Sequence, residues 1–341
     1  MQPFETLSHQ EQLHRLQQLV ECVLPHYGLA SAQSVLLQYE DNAVYRITLR
    51  PGEHFVLRVS AADGQSLAAQ RSEMQWLMAL RRETDLLVPE PIPNDGGELV
   101  TMEAVRDVPE PRPCVLLRWV PGEPPTPGIE PAIVERIGAF TAQLHLHAEQ
   151  FVPPPAFFRP SWDWKRLLGT ASVLGCEEVL SSLAPHQRGV LTTVGTQMQH
   201  ALSLLGKDAT VWGLIHADLH RDNILLHDRA VGVIDFDDCG WGYYVLDLAS
   251  VLDSFFRRVV KHPKDYLPLR NAFLRGYDRI RALPVDLDMH LRTAKVMRDM
   301  VTINFILSSK NVSVQTWGRE RLDHIIVGLE AYLEGSSDLG I

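Results

Sequence analysis

The sequence predicts an α+β protein with two lobes and a cleft between them. Strand-like runs dominate the first third of the chain, and helical periodicity dominates the remainder. The change follows the stretch PGEPPTPG, residues 121–128, whose prolines and glycines stop regular structure. A short strand-like block returns at 211–236 inside the helical part. Segregated strands and helices of this kind build an α+β fold, and the cleft between two such units is a common ligand site.

The first lobe begins with a helix and continues as a sheet. Residues 8–24 have helical spacing, and Ser8 is a plausible N-cap. A second helix is expected over about 66–82. Between them lie three strand-like runs, of which Pro51-Gly52 joins the last two as a hairpin turn: SVLLQYE (34–40), NAVYRITLR (42–50) and HFVLRVS (54–60).

A proline-rich connector over 88–102 leads into a turn and a strand, and a further strand over 114–120 completes the first lobe. The last strand runs directly into residues 121–128, which form the best lobe boundary in the chain. Beyond the boundary, the apolar pattern predicts helices over 129–149, about 185–205, 245–260, 264–281, 286–308 and 316–334.

Composition excludes several classes of protein. The 341 residues are 45% hydrophobic and 22% charged, and no apolar run approaches the roughly 18 residues of a membrane helix. The net charge of −10 disfavours a nucleic-acid partner, although it is compatible with a cationic substrate. The four cysteines are far apart, without a C-x-x-C pair, which argues against a zinc site and a disulfide framework. The amino terminus has no signal-peptide pattern. We therefore expect a cytoplasmic protein without a membrane or nucleic-acid partner.

The stretch LIHADLHRDNILL, residues 214–226, concentrates titratable chemistry between two apolar runs. One interpretation is a transition-metal site made by His216, Asp218 and His220, but no second cluster of matching kind supplies further ligands. Nucleophilic hydrolysis is a weaker interpretation, because the chain has no G-x-S-x-G sequence. A third is phosphoryl transfer, since kinase catalytic loops have the form H-x-D-x-x-x-x-N, which here reads from His216 to Asn223.

Three further elements in the order of a kinase favour phosphoryl transfer. Asp235 stands twelve residues after Asn223, in the sequence IDFDD, where a second metal-holding aspartate is required. Upstream, strand alternation places Arg58 on the same face as Val56, so that a cation points towards the phosphates. Glu73 is the only acid in the body of the following helix and can pair with Arg58.

With these residues, the sequence resembles the aminoglycoside phosphotransferase/choline kinase family, which is related to protein kinases. The similarity is clear over 212–250 and moderate over 35–122. It implies a two-lobed protein-kinase-like fold, with residues 1–117 as a sheet-rich, nucleotide-binding N-lobe and 118–124 as the hinge. Residues 125–341 would form a larger helical C-lobe with the catalytic loop and the acceptor site. The implied reaction moves the γ-phosphoryl group of ATP to a hydroxyl of a small molecule, with Mg²⁺.

The resemblance also implies roles for single residues. Asp218 would be the catalytic base, or would orient the acceptor hydroxyl. Asn223 and Asp235 would ligate Mg²⁺. Arg58 would contact the α- and β-phosphates, with Glu73 as its partner on the helix.

Other roles concern the edges of the site. Asn42, in the loop YEDNAVY, would help to cover the phosphates, and the backbone from Arg118 to Val120 would reach the adenine. Asp247 would brace the catalytic loop.

The residues themselves add four expectations. His216 is expected to brace the loop through hydrogen bonds, and the role of His220 stays open. Asp238 is a candidate for acceptor binding, whereas Asp237 is expected to be a surface charge or a turn former. The aromatic residues of FFRPSWDWKRLL, residues 157–168, are expected to dock helices in the core rather than line the acceptor pocket.

Several alternatives remain open at the level of the sequence. The protein could be a Ser/Thr protein kinase of the same family, or a pseudokinase that binds nucleotide without chemistry. Antibiotics, choline-like amines, homoserine and sugars are all possible acceptors. Neither the oligomeric state nor the choice between ATP and GTP can be read from the sequence.

Overall fold

The computed structural model describes residues 4, 7–40, 42–62, 64–106, 108, 110–169, 172–309 and 311–335. The first element is helix α1, His9–Val23. It begins where expected, because the Ser8 side chain accepts a hydrogen bond from the N–H of Glu11.

An antiparallel sheet of six strands follows α1. In chain order the strands are β1 Gln33–Tyr39, β2 Ala43–Arg50, β3 Glu53–Val59, β4 Pro91–Ile92, β5 Thr101–Glu103 and β6 Arg112–Arg118. Their spatial order is β1-β2-β3-β6-β4, and β5 pairs with β6. Arg58 lies opposite Val44 of β2 and Val115 of β6, so it stands in the middle of the sheet. Helix α2, Leu67–Glu83, connects β3 to β4.

The rest of the chain is mainly helical. The longer helices are α3 Pro131–Gln150, α6 Pro185–Leu205, α7 Tyr244–Arg258, α8 Tyr266–Asp278, α9 Leu287–Ser308 and α10 Val312–Leu333. Two short helices lie between α3 and α6, namely α4 Trp164–Leu168 and α5 Glu177–Ser182. The helical predictions are confirmed, except that α4 and α5 were not expected and α10 begins four residues before the expected residue 316.

Two small sheets interrupt the helices. β9 Ile224–His227 and β10 Ala230–Val233 form a hairpin. β8 Trp212–Ile215 pairs with β11 Gly240–Tyr243, which also pairs with β7 Ser161–Trp162. The expectation that only residues 211–236 would form strands here was wrong, because β7 and β11 lie outside that block.

The hydrophobic core consists of two clusters. The smaller cluster lies between α1 and the sheet. The larger one begins on α2, with Met74, Trp76, Leu77 and Leu80, and continues through the helical part. The Trp76 ring meets the ring of Phe236 edge-on at 5.6 Å between centroids. Helix α2 is thus packed against the helical part as well as joined to the sheet.

Helices α3 and α8 cross with their backbones in close approach. A Cβ atom at Gly138 would lie 2.0 Å from the carbonyl oxygen of Phe273, and one at Gly276 would lie 1.8 Å from that of Glu135. Only glycine fits at these two positions. Among the described residues, no helix is long and apolar enough to cross a membrane.

Candidate active site

The loop between β8 and β9 is held by Asp247 in the first turn of α7. The two carboxylate oxygens of Asp247 accept hydrogen bonds from the backbone N–H groups of His216 and Ala217, each at 2.8 Å. Ala217 is thereby kept in a left-handed conformation, with φ of 68°. Asp247 is fully buried and also accepts a hydrogen bond from His145 Nε2, at 3.1 Å. The structure places Asp247 as a brace of the loop.

His216 links this loop to the segment that carries Asp235. Its Nε2 donates to the carbonyl oxygen of Ile234 at 2.9 Å, and its Nδ1 accepts from the N–H of Asp218 at 3.3 Å. Burial lowers the pKa of His216, so the ring is neutral, as this hydrogen-bond pattern requires. These contacts place His216 as a brace rather than a proton carrier.

Asp218 faces the cleft and contacts two basic side chains. Arg298 Nη1, from α9, donates to Asp218 Oδ1 at 2.8 Å, and His220 Nε2 lies 3.3 Å from Oδ2. Although burial opposes ionisation, the Arg298 guanidinium and the His220 ring hold the pKa of Asp218 well below its usual range. Asp218 is therefore a carboxylate at neutral pH, with a charge that can orient a hydroxyl group.

Asn223 and Asp235 lie beside Asp218 in the same cleft. Asn223 Nδ2 donates to the backbone carbonyl oxygen of Asp218 at 3.0 Å, so the amide oxygen is the atom that a hard cation would take. Asp235 has no ion pair within the described part of the chain. Its carboxylate faces the water of the cleft but is closely surrounded by protein. Loss of hydration next to these protein atoms, and then the negative charge of Asp237, raise the pKa of Asp235 to about 7.

The pair fits a divalent cation. Burial and nearby negative charges both disfavour the ionised form of a carboxyl group. A bound cation would stabilise that ionised form. No three His, Cys, Asp or Glu side chains form a metal-binding group among the described residues. A magnesium ion here would therefore take its other ligands from phosphate oxygens and water, as Mg²⁺ commonly does in nucleotide sites.

On the opposite wall, Arg58 and Glu73 form a buried pair. Arg58 Nη1 and Nη2 donate to the two carboxylate oxygens of Glu73 at 2.8 and 2.6 Å. Asp237 was expected to be a surface charge or a turn former; it lies in a turn, but its side chain is only 20% exposed and is not a surface charge. Its Oδ1 lies 3.4 Å from Arg58 Nη1, and its Oδ2 accepts from Asn42 Nδ2 at 2.7 Å. Asp237 thus ties the loop before β2 to the base of the cleft.

The loop that was expected to cover the phosphates reaches over the cleft through Asn42. Its far side is held by Asn311, whose Nδ2 donates to the carbonyl oxygen of Glu40 at 3.0 Å. Asp41, in the middle of this loop, lies outside the described residues.

The expected hinge, residues 118–124, begins at the last residue of β6. The N–H of Arg118 donates to the carbonyl oxygen of Glu90 at 2.8 Å, and its guanidinium pairs with the Glu90 carboxylate. The N–H of Trp119 donates to the carbonyl oxygen of His54 at 3.3 Å. Val120 also lines the cleft, and its N–H has no acceptor in the part of the chain that is described. Of the three amides, that of Val120 is the one available to a base.

Arg159 is a functional candidate that the sequence did not reveal. It is 3% exposed and donates to three backbone carbonyl oxygens, those of Ala69 (2.9 Å), Asp237 and Cys239. It thereby joins the first turn of α2 to the segment after Asp235. Arg159 lies in the stretch FFRPSWDWKRLL, of which only the aromatic residues drew attention, and no local signal distinguishes this arginine from its neighbours.

Asp238 also lines the cleft, near Trp162 and Arg166. Loss of hydration, and then the negative charge of Asp218, raise the pKa of Asp238 to about 8. Trp162 Nε1 donates to the Asp238 carbonyl oxygen at 2.7 Å, and the Arg166 guanidinium stacks 4.5 Å from the Trp162 ring. Trp162 is buried in the main core but also lines the cleft, so the expected core role holds for it only in part.

A sheet-rich unit with a buried Arg–Glu pair, set across a cleft from a loop with Asp, Asn and a second Asp, defines a kinase-like phosphotransferase. The model of the APH family, described as "Phosphotransferase enzyme family", matches residues 34–283. The chain belongs to this family. It is a phosphotransferase that acts on an alcohol group, which confirms the expected fold class and enzyme class.

Individual relatives agree with this assignment. The chain is 24% identical over 245 residues to the amicoumacin kinase of Bacillus subtilis (strain 168), covering 70% of this chain and 68% of the relative. The structure of a microcompartment-associated aminopropanol kinase is similar with a TM-score of 0.78 and 26% identity, over 94% of this chain and 98% of the other. An amicoumacin kinase in complex with AMP-PNP, Ca²⁺ and Ami shares the fold, with a TM-score of 0.77 and 20% identity over 95% of this chain and 96% of that one.

Proposed function

We propose that this protein transfers the γ-phosphoryl group of ATP to a hydroxyl of a small-molecule acceptor, with Asp218 as the residue that aligns the hydroxyl. The observation that carries the proposal is the position of Asp218. Its ionised carboxylate lies in the same cleft as Asn223, Asp235 and Arg58. Phosphoryl transfer depends mainly on positioning and charge stabilisation, and these four side chains supply both.

The nucleotide would occupy the side of the cleft next to the sheet. Arg58, fixed by Glu73, supplies a cation to the phosphates, and the N–H of Val120 supplies a donor to the base. The hydrogen bond from Asn42 to Asp237 closes the cleft over this nucleotide side. Because the guanidinium is a planar fork, it can bind two phosphate oxygens once its contact with Asp237 loosens.

Asn223 and Asp235 would hold Mg²⁺ with the nucleotide. The cation would neutralise the charge of the phosphates and that of the nearby carboxylates. Binding it also favours loss of the proton from Asp235, so the two events are coupled.

Asp218 would accept a hydrogen bond from the acceptor hydroxyl and point its oxygen at the γ-phosphorus. The new bond forms between that oxygen and phosphorus as the bond between phosphorus and the β-phosphate oxygen breaks, with ADP as the leaving group. The hydroxyl proton passes to Asp218 or to the product phosphate. Because Arg298 keeps Asp218 strongly acidic, orientation contributes more than basicity. Asp238, which also lines the cleft, would face the acceptor.

Replacement of Asp218 by Asn tests the proposal. The amide keeps the size of the side chain and removes its charge, so kcat should fall by about 10²–10⁴-fold while the Kd for Mg²⁺-ATP stays near that of the wild type. The turnover to follow is acceptor-stimulated ADP formation, and nucleotide titration gives the Kd. Asp228→Asn, at an exposed turn between β9 and β10, is the matched control and should change neither quantity.

Full turnover in Asp218→Asn would contradict the assigned role. Stoichiometric zinc or iron in the wild type, lost in this variant, would instead support the metal-site interpretation of the loop. Elemental analysis of both proteins distinguishes that case.

A further inference from the structure

The part of the cleft beyond Asp218 is lined by arginine side chains from three helices. Helix α7 contributes Arg257 and Arg258, α9 contributes Arg298, and α10 contributes Arg321. Since the reacting hydroxyl must meet Asp218, the remainder of the acceptor would extend into this region. The charges here therefore bear on the chemical class of the acceptor.

Three of these arginines are paired with carboxylates within the protein. Each has one acidic partner in hydrogen-bond contact: Arg298 with Asp218 (2.8 Å), Arg257 with Asp253 (2.8 Å) and Arg258 with Asp222. These ion pairs hold the walls of the site, and each of the three guanidinium groups already has a carboxylate partner.

Arg321 differs from the other three. In the described part of the chain it makes no ion pair and no hydrogen bond, although it is only partly exposed. The nearby carboxylate of Asp299 is occupied by Lys295, at 2.6 Å. Burial, and then the neighbouring charge of Arg257, lowers the pKa of Arg321, which shows that the environment is unfavourable for an unbalanced cation. A partly buried guanidinium without a counter-charge is a site for an anion.

Its neighbours leave the guanidinium facing the cleft. Trp317 lies one turn earlier on the same face of α10, and its ring packs against that of Phe305 at 6.1 Å. Both aromatic residues line the cleft beside Arg321. Arg166, another cleft arginine without an ion pair among the described residues, is stacked on Trp162, and its charge faces Asp238.

We infer that the acceptor alcohol carries an anionic group, a carboxylate or a phosphate ester, that binds the guanidinium of Arg321. This inference rests on the proposed function and adds the chemical class of the acceptor. A guanidinium fork matches both kinds of anion through two parallel hydrogen bonds. The negative charge of the whole chain is compatible with a cationic substrate, but a net charge does not describe this end of the cleft.

The first experiment compares alcohols that differ in charge. Glycerol, glycerate, glycerol 3-phosphate and 1-amino-2-propanol, together with a wider set of hydroxy acids and their neutral amides, are tested for phosphorylation by Mg²⁺-ATP, with product detection by ³¹P NMR. We expect kcat/KM for an anionic alcohol to exceed that for its amide by at least about tenfold. The carboxylate and phosphate members of the set distinguish the two kinds of anion.

The outcomes separate the inference from the proposed function. Phosphorylation confined to neutral or cationic alcohols, or Mg²⁺-dependent ATP hydrolysis without phosphorylation of any anionic alcohol, overturns the inference and leaves the proposed function intact. Absence of any Mg²⁺-dependent turnover of ATP contradicts the proposed function itself.

The second experiment replaces Arg321 by Gln. The KM for the anionic acceptor should rise by about 10- to 100-fold, while the KM for ATP and the KM for the neutral amide change less than about twofold. Arg319→Gln, at an exposed position of the same helix, is the control and should have no effect. Arg321→Lys keeps the charge without the fork and should give an intermediate KM. An unchanged KM for the anionic acceptor in folded Arg321→Gln overturns the inference.

Discussion

Arg159 connects two parts of the candidate active site through hydrogen bonds to backbone carbonyl oxygens alone. Its three guanidinium nitrogens each donate to a carbonyl oxygen, one in α2 and two in the segment that follows Asp235. The first of these elements carries Glu73, and the second directly follows the metal-binding candidate Asp235. One buried guanidinium therefore sets the distance between the phosphate side and the metal side of the cleft.

Replacement of Arg159 by Met should disturb both sides at once. Three backbone carbonyl oxygens would lose their donor, which should lower the free energy of unfolding by about 2–4 kcal/mol. We also expect a lower kcat and a higher Mg²⁺ concentration for half-maximal activity, because Asp235 would no longer be held against α2. Urea unfolding and a Mg²⁺ titration of activity measure the two effects.

Two further variants distinguish a positioning role from simple loss of stability. Arg159→Lys keeps a donor and should recover part of the Mg²⁺ response. Arg229→Met, at an exposed turn, should behave as the wild type. If Arg159→Met loses stability but keeps the wild-type Mg²⁺ response, Arg159 has no positioning role.

The sequence predicted the residues of the site that belong to a spaced motif. Asp218 and Asn223 sit in one loop, and Arg58 and Glu73 follow one another on a strand and the next helix. These spacings can be recognised in the sequence because the local structure between the residues fixes their relative positions. Arg159, Arg298 and Arg321 were not predicted, since their positions depend on tertiary packing. Arg298 meets Asp218 across 80 residues of chain, and Arg159 meets Ala69 across 90.

At the scale of elements, the crossing of α3 and α8 is the tightest contact between helices. Gly276→Ala would place a methyl group against the carbonyl oxygen of Glu135, and two rigid helices would have to separate. We expect the free energy of unfolding to fall by at least about 3 kcal/mol, the upper part of the range for overpacked cores. Urea denaturation followed by circular dichroism measures this loss.

Gly189→Ala is the matched control. This glycine lies in α6, and a Cβ atom there would meet nothing within 4 Å. The substitution should stabilise the protein by up to about 1 kcal/mol, because alanine favours a helix. Equal effects of the two substitutions would show that the crossing is looser than the structure indicates.

Helices were easier to predict than the short strands of the helical part. Each long helix has an apolar periodicity that the sequence displays by itself. β7 has two residues and β11 has four, with the sequence GWGY, so neither carries a detectable alternation. They form strands because β8 and the chain around Trp162 come together in the fold, which is information the local sequence lacks.

At the scale of the whole molecule, buried histidines give stability a dependence on pH. Burial lowers the pKa of His145, His147 and His216 below the usual 6.5. As the pH falls through about 6.5, the unfolded chain therefore binds protons that the folded protein does not. Each such histidine removes about 1.4 kcal/mol of stability per pH unit in that range, until the pH reaches the folded-state pKa.

His145→Gln should make stability less sensitive to acid. Glutamine can bond to both Tyr277 and Asp247, as His145 does, but it does not titrate. Between pH 6 and 5 the wild type should lose more stability than the variant, by up to about 1.4 kcal/mol. Urea unfolding at a series of pH values gives the free energy of unfolding of each protein as a function of pH. The slopes of these two curves are compared, and not their absolute values. The raised pKa values of Asp235 and Asp238 act in the opposite direction, but they are common to both proteins.

His200→Gln, on the exposed surface of α6, is the control and should give a curve parallel to that of the wild type. Parallel curves for His145→Gln as well would mean that His145 takes up its proton in the folded protein.

The packing of α2 bears on how the activity of such an enzyme can be regulated. Protein kinases are turned off when the helix that bears the paired glutamate moves away. Here that movement would pull Trp76 out of the core it shares with Phe236, at a cost of about 3 kcal/mol or more. We therefore expect the Arg58–Glu73 pair to stay assembled whether or not a signal is present. The rate of phosphoryl transfer would then depend on the amount of protein and the supply of acceptor, and not on a movement of α2.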